Sequence, residues 1–526
     1  MSFLDASEGS VPEMLEAHVC IIGAGAAGLT IASELGLKQG VDVLLLESGD
    51  MQLDGDVQSL YAGKNVGAPY YDLASCRLRY FGGTTNHWGG YCRANDPINY
   101  EGRPDLDVPS WPFGFEEATP WVKRAAETLG IDSRFFEPQQ LLANEGFDAS
   151  ELLERLGKDV FVAVNQITAT KRFSERFAPD LESTSSVRVV TNINLVGIRL
   201  NENGESVRHL DCQTLGGSSV KVKAGVFVLA CHAIENARLM LVSNDVASSG
   251  IGNDHDLVGR YFAEHPQVNS GLMIAGPRFP DYFDRRYRRP ETHLAAMSLN
   301  ANAMRNAGAL SYHMHFASEP PREAARRAAR RLIDGLWKPF STQMLLDSIR
   351  VFEDITAIAR PTPGPLHPNL DGTGDRILRL NHTFEQAPNR DSRVRLSTTE
   401  RDALNIPRVE LDWQLNEQDL RTLREGQRIV AAELSAIGFG RFALEEFEWS
   451  SIEGRVNGHY HHYGTTRMST DPRSGVVNSD QRVHGVANLF VAGSSVFPTA
   501  AAHGPTLHIV AFSLRLADYL LRNINR

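Results

Sequence analysis

The chain has 526 residues, too many for one simple core, and two interleaved domains are expected. With 42% hydrophobic and 22% charged residues it has ordinary globular composition, and a net charge of -11 argues against nucleic acid, whose phosphates need a basic surface. The five cysteines (Cys20, Cys76, Cys92, Cys212, Cys231) form no CxxC pair, no metal site is expected, no apolar run could span a bilayer and the acidic stretch from Met1 to Glu16 has no signal core, so a cytoplasmic protein is expected.

Ala17 to Ile22 reads as an apolar strand running into Gly23-Ala24-Gly25-Ala26-Ala27-Gly28, followed by a helix from Leu29 to Leu37. A second strand, Val41 to Leu46, ends at Glu47, about twenty residues past the glycines. This is a dinucleotide fingerprint. The glycines allow a tight turn and close approach to a pyrophosphate, the helix N-terminus favours its charge, and the acid suits ribose hydroxyls. The fingerprint alone does not choose between NAD and FAD. Cys20 and Cys231 fall in expected core strands, where a cysteine usually serves as a small apolar residue.

Farther along come Tyr70-Tyr71-Asp72-Leu73 and then Gly82-Gly83-Thr84-Thr85-Asn86-His87-Trp88-Gly89-Gly90. A helix is expected from Glu116 to Leu129, and strands from Val187 to Ile198 and from Lys221 to Cys231. From about Gly259 to Arg441 short alternating strands predominate (Ile377 to Gln386, Ser392 to Ser397, Val409 to Trp413), suggesting an antiparallel sheet, with a long amphipathic helix from Glu417 to Ile437. Arg322, Arg326, Arg327, Arg330 and Arg331 line one side of a further expected helix, with Ala325, Leu332, Ile333, Leu336 and Trp337 on the other. Such a helix is more often a lid over its own domain than a membrane or partner dock, and both readings stay open.

The C-terminal stretch is the most telling: His459-Tyr460-His461-His462-Tyr463-Gly464-Thr465-Thr466, then Ala492-Gly493-Ser494, then Ala502-His503-Gly504-Pro505-Thr506 opening a helix to Leu521. Together with Ala230-Cys231-His232-Ala233-Ile234-Glu235 and Glu385-Gln386-Ala387-Pro388-Asn389, it resembles the glucose-methanol-choline (GMC) family of FAD-dependent alcohol oxidoreductases. The Asn86-His87-Trp88 run, Glu264-His265-Pro266 and the Pro505-Thr506 helix start resemble the bacterial sugar-oxidising, pyranose oxidase-like branch.

The resemblance implies an α/β chain in which a Rossmann-like FAD-binding domain is interleaved with an α+β substrate domain on an antiparallel sheet. The expected FAD-binding segments are 15–105, 186–260 and 451–526, with a cap segment at 106–185 and the substrate domain at 261–450. FAD is the implied cofactor, held by Gly23, Gly25, Ala26, Gly28, Glu47, Gly82, Gly83, Asn86, His87, Trp88, Gly89, Gly493, Pro505 and Thr506. For His87 the resemblance offers a covalent bond to the flavin or, as the favoured reading, a non-covalent lining role. His461 occupies the position of the catalytic base, and a neutral-range histidine suits that task. The second catalytic slot falls on Gly504, with His503 one residue early; His503 is expected to fill it by a shift of the loop. His459 and His462 are expected to be structural or surface residues. At His232, where the family has glycine, the bland reading is a substitution tolerated at a turn, and the sharper one is a narrowing of the space beside the cofactor.

The implied reaction is oxidation of a hydroxyl of a sugar, glycoside or other polyol, with oxygen, a quinone or a carrier protein as electron acceptor. Redox-neutral tailoring of a natural product and a catalytically silent flavin-binding subunit are the alternatives.

Overall fold

The computed structural model describes residues 3–9, 11–170, 172–284, 293–318, 376–448 and 454–524. The arginine-lined segment around Arg326 lies outside the described residues.

Val19 to Ile22 and Val43–Leu46 are apolar at every position and buried throughout, as parallel strands covered on both faces must be. They lie in the middle of a sheet ordered Phe3–Asp5, Val187–Thr191, Val43–Leu46, Met14–Ile22, Ser219–Leu229, Val207–Gln213, Asn194–Leu200. The long strand Ser219–Leu229 changes neighbour along its length. Its first half pairs antiparallel with Val207–Gln213, while its last residues, Phe227 to Leu229, pair parallel with Leu489–Val491. The carboxyl ends of the parallel strands therefore converge beside the first glycine loop, where a doubly wound sheet takes its ligand.

The helix expected from Leu29 begins earlier, at Ala26, because the loop glycines already turn the chain: Gly25 is its N-cap. It closes with a π turn, Ser33–Leu37. Helix Thr506–Asn523 packs on it and against Phe115–Leu129. The expected strand from Val187 to Ile198 is two strands, Val187–Thr191 and Asn194–Leu200, broken where Asn192 adopts φ of +56°. Asparagine tolerates that left-handed conformation better than most residues do.

A second, wholly antiparallel sheet runs Gly440–Ala443, Gln267–Ala275, Arg376–Phe384, Tyr312–Ser318, His293–Leu299, Val160–Ile167, Tyr91–Cys92. Helix Glu417–Ala436 covers it and opens with a capping box: the Asn416 side chain accepts from the backbone of Asp419, and the Asp419 carboxylate accepts from the N–H of Asn416 at 2.8 Å.

The strands expected near Ser392 and Val409 do not join that sheet. Arg393–Arg401 and Pro407–Asp412 form a small sheet of their own with Gly63–Asn65. Buried Arg238 ties this unit to the parallel-sheet side, with one guanidinium nitrogen 2.5 Å from Asp402 and another 3.2 Å from Glu235. Glu235 also takes Arg79 at 2.7 Å, so one carboxylate serves two buried cations.

Candidate active site

A cavity of about 620 Å³ opens where the first glycine loop, the carboxyl end of Ser219–Leu229 and the start of helix Thr506–Asn523 meet. That volume is in the range of small-molecule and cofactor sites, about 300–1,000 Å³. Of the residues expected at the cofactor, Gly23, Gly25, Ala26, Glu47, Gly83, His87, Trp88, Gly89, Gly493, Pro505 and Thr506 line it, as does His461. Gly28, Gly82, Asn86 and His503 do not.

Each absence has a local cause. A Cβ at Gly28 would stand 1.9 Å from the carbonyl oxygen of Gly23, so this glycine serves the close packing of helix on loop. Asn86 is turned inward, donating to the carbonyl of Phe81 at 2.8 Å and accepting from the backbone of Ser174 at 3.1 Å, and its amide sits against Gly82. His503 is buried with its ring toward His313 and His508, and neither ring nitrogen has a hydrogen-bond partner among the described residues. The loop does not shift to bring it to the cavity. Gly504 faces His461 instead: a Cβ there would lie 3.6 Å from His461 Nε2.

Glu47 is buried at the end of Val43–Leu46. Its carboxylate accepts the N–H of Ala24 at 2.8 Å and of Gly49 at 3.1 Å. Burial raises its pKa, and those hydrogen bonds together with nearby Arg79 act in the opposite direction. A carboxylate that can accept from the hydroxyls of an adenosine ribose, fixed beside a glycine turn and a helix N-terminus whose N–H groups can donate to a pyrophosphate, fits FAD. Pro505 and Thr506 put the N-terminus of a second helix at the other part of the same cavity.

His461 is half-buried, open on its cavity side. Burial, then His265 and His459, push its pKa well below the ordinary range, so near neutral pH the ring is uncharged and keeps a lone pair. Its Nδ1 is 3.1 Å from His265 Nδ1, and the ring of His459 stacks on it at 5.6 Å.

His462, expected to be structural or exposed, is buried in a polar chain. His232 Nε2 is 2.9 Å from His462 Nδ1, His462 Nε2 is 2.5 Å from the Tyr70 hydroxyl, and that hydroxyl donates to Glu264. His232 stands at the cavity wall with φ of +78°, a conformation glycine adopts freely and other residues rarely do. An imidazole therefore lines the cavity at this turn, where the resemblance implies glycine. Cys231 lies just past its strand, at the cavity wall, and not in the strand core.

Sequence reasoning missed Tyr460 and the roles of Tyr70, Glu264 and His265. Tyr460, at φ of +61°, stacks on Tyr71 with centroids 4.3 Å apart and lines the cavity beside His461. Its place directly before His461 was the available signal.

Comparison with known proteins agrees with this geometry. Residues 388–513 match the family model described as GMC oxidoreductase, and residues 18–246 match that of FAD dependent oxidoreductase. Paromamine 6'-oxidase of Streptomyces fradiae is 26% identical over 95% of this chain and 90% of its own length. Fructose dehydrogenase large subunit of Gluconobacter japonicus is 24% identical over 59% of this chain and 49% of its own. The fold is that of pyridoxine 4-oxidase from Mesorbium loti, with a TM-score of 0.60 at 18% identity over 96% of this chain and 99% of that one. With the glycine loop, Glu47 and His461 around one cavity, the chain carries a GMC oxidoreductase C-terminal domain together with an FAD-dependent oxidoreductase domain.

Proposed function

We propose that this protein oxidises a hydroxyl group of a sugar, glycoside or aminoglycoside-like polyol to a carbonyl, with His461 as the base. FAD, when bound, accepts the hydride from the carbinol carbon. The hydroxyl proton goes to His461 Nε2, the C–H bond breaks, and the C–O bond becomes C=O. One observation carries the reading: His461 presents Nε2 to the cavity opposite Gly504, where no side chain intervenes.

The other residues position and enclose. Glu264 accepts the backbone N–H of His461 at 3.0 Å and of His459 at 3.1 Å, which fixes the segment that carries the base. Tyr460, with Tyr71 stacked on it, gives an aromatic wall next to the base, a surface suited to the C–H face of a pyranose ring. The missing side chain at Gly504 leaves width for a substituted ring. Support for the substrate class comes from relatives whose names specify paromamine, 6'''-hydroxyparomomycin C and fructose.

The test is anaerobic mixing of the FAD-loaded protein with a panel of sugars, glycosides and aminoglycosides. Loss of the yellow flavin band and appearance of a carbonyl product are expected with at least one of them. If simple alcohols bleach the flavin while the whole sugar panel leaves it oxidised, the substrate assignment is wrong.

A further inference from the structure

The ring that touches His461 on the side away from the cavity is His265, and its surroundings determine where its own proton lies. His265 Nε2 is 3.0 Å from the carbonyl oxygen of Ala500, a group that only accepts, so Nε2 carries hydrogen. The ring is buried and held neutral, its pKa lowered to about 4 by burial, with the carbonyls of Ala500 and Ala501 opposing. A neutral imidazole has one N–H. Nδ1 of His265 is therefore bare.

That bare nitrogen lies 3.1 Å from His461 Nδ1. Two bare nitrogens at this distance would repel, so His461 carries its hydrogen on Nδ1. We infer that His265 is a positioning residue that selects the tautomer of His461, accepting its Nδ1–H and so leaving Nε2, the nitrogen facing Gly504, free to take the substrate proton. The ring centroids lie 5.1 Å apart with planes at 78°, and the contact is made through the two Nδ1 atoms.

A free histidine side chain prefers the opposite tautomer, which would place hydrogen on the cavity nitrogen and block the base. The structure opposes that preference with a rigid frame. Glu264 accepts the backbone N–H of His265 at 2.8 Å through one oxygen and that of His461 at 3.0 Å through the other, so one carboxylate sets the spacing of the two rings. The loop that supplies Ala500 to His265 supplies Gly504 to His461 four residues later.

The inference rests on the reading of His461 as base, and the variants separate the two. In His265→Asn the side-chain oxygen stands in for Nδ1 and can still accept from His461, while the contact with Ala500 is lost. His265→Gln keeps a donor for Ala500 and offers nothing at the Nδ1 position. The FAD-loaded His265→Asn protein is expected to reduce flavin within about tenfold of the unmodified rate, and His265→Gln about 10²–10⁴-fold more slowly, as for a base held in the wrong tautomer. A purely structural role predicts the reverse order, and that order, equal slowing of the two variants or an unslowed His265→Gln would overturn the inference.

If neither variant retains FAD, ¹⁵N shifts of the His461 ring in the unmodified holoprotein decide: Nδ1 protonated and Nε2 bare is expected, and the opposite pattern overturns it. His461→Ala distinguishes the underlying reading. Fast flavin reduction by that variant removes the base itself, whereas slow reduction by it beside unaffected His265 variants removes only the tautomer selection.

Discussion

At the scale of single residues, the molecule separates histidines that resemble one another in sequence. His459, His461 and His462 lie within four positions, yet His461 faces the cavity, His459 stacks on it, and His462 is consumed by a buried chain to Tyr70 and His232. His461 was legible because family motif residues flank it on both sides. His265 and Glu264 were not, because their work depends on contacts across almost two hundred residues of sequence. His503 does not line the cavity for a concrete reason: Gly504 occupies the position against His461, and the ring before it packs against His313 and His508. Both nitrogens of His503 are buried without partners among the described residues, and removing such groups is close to neutral. His503→Leu is therefore expected to keep the flavin reduction rate within about threefold and to unfold at an equal or higher temperature. A tenfold loss of rate in rapid-mixing absorbance would restore His503 to the chemistry.

At the scale of elements, the strands at the cofactor were legible because buried parallel strands are apolar at every position and end at glycines. Val43–Leu46 then delivers Glu47 to the cavity wall beside the glycine loop. Pairing was less legible. Nothing in Arg393–Arg401 or Pro407–Asp412 announces that they leave the large antiparallel sheet for Gly63–Asn65, since alternation states a face and not a neighbour. The break at Asn192 carried a signal, an asparagine between two apolar runs, that a single long strand overrides. The cofactor element yields its own prediction. Glu47→Ala leaves the N–H groups of Ala24 and Gly49 without their acceptor and should weaken FAD retention by about 1–3 kcal/mol. Flavin occupancy after dialysis measures this, and full occupancy would contradict the assignment.

At the scale of the whole molecule, burying so many histidines makes stability depend on pH. Burial lowers the pKa of His232 and His508 to about 3, and of His265 and His382 to about 4, all from 6.5. The unfolded chain protonates these groups below about pH 6.5 and the folded one does not, so their stabilisation is present above that value and is lost as pH falls. Each contributes a slope of about 1.4 kcal/mol per pH unit in that window. Asp419, raised to about 7 by burial, has the opposite sign and offsets one of the four. The unfolding midpoint of the FAD-saturated protein should therefore fall steadily from pH 6.5 to 5. A flat or rising midpoint would mean that these rings are not neutral in the fold. The glycine loop of the parallel sheet and the start of the C-terminal helix meet at the active-site cavity, where FAD and a histidine base are proposed to act on the same hydroxyl.

The most direct measurement of that claim is the anaerobic flavin reduction rate of FAD-loaded His461→Ala with a sugar or glycoside that bleaches the unmodified protein. The account predicts unchanged flavin occupancy and a rate lower by about 10²–10⁴-fold, the usual worth of a positioned base. A variant that bleaches at the unmodified rate would show that the proton leaves by another group, and would contradict the site as described.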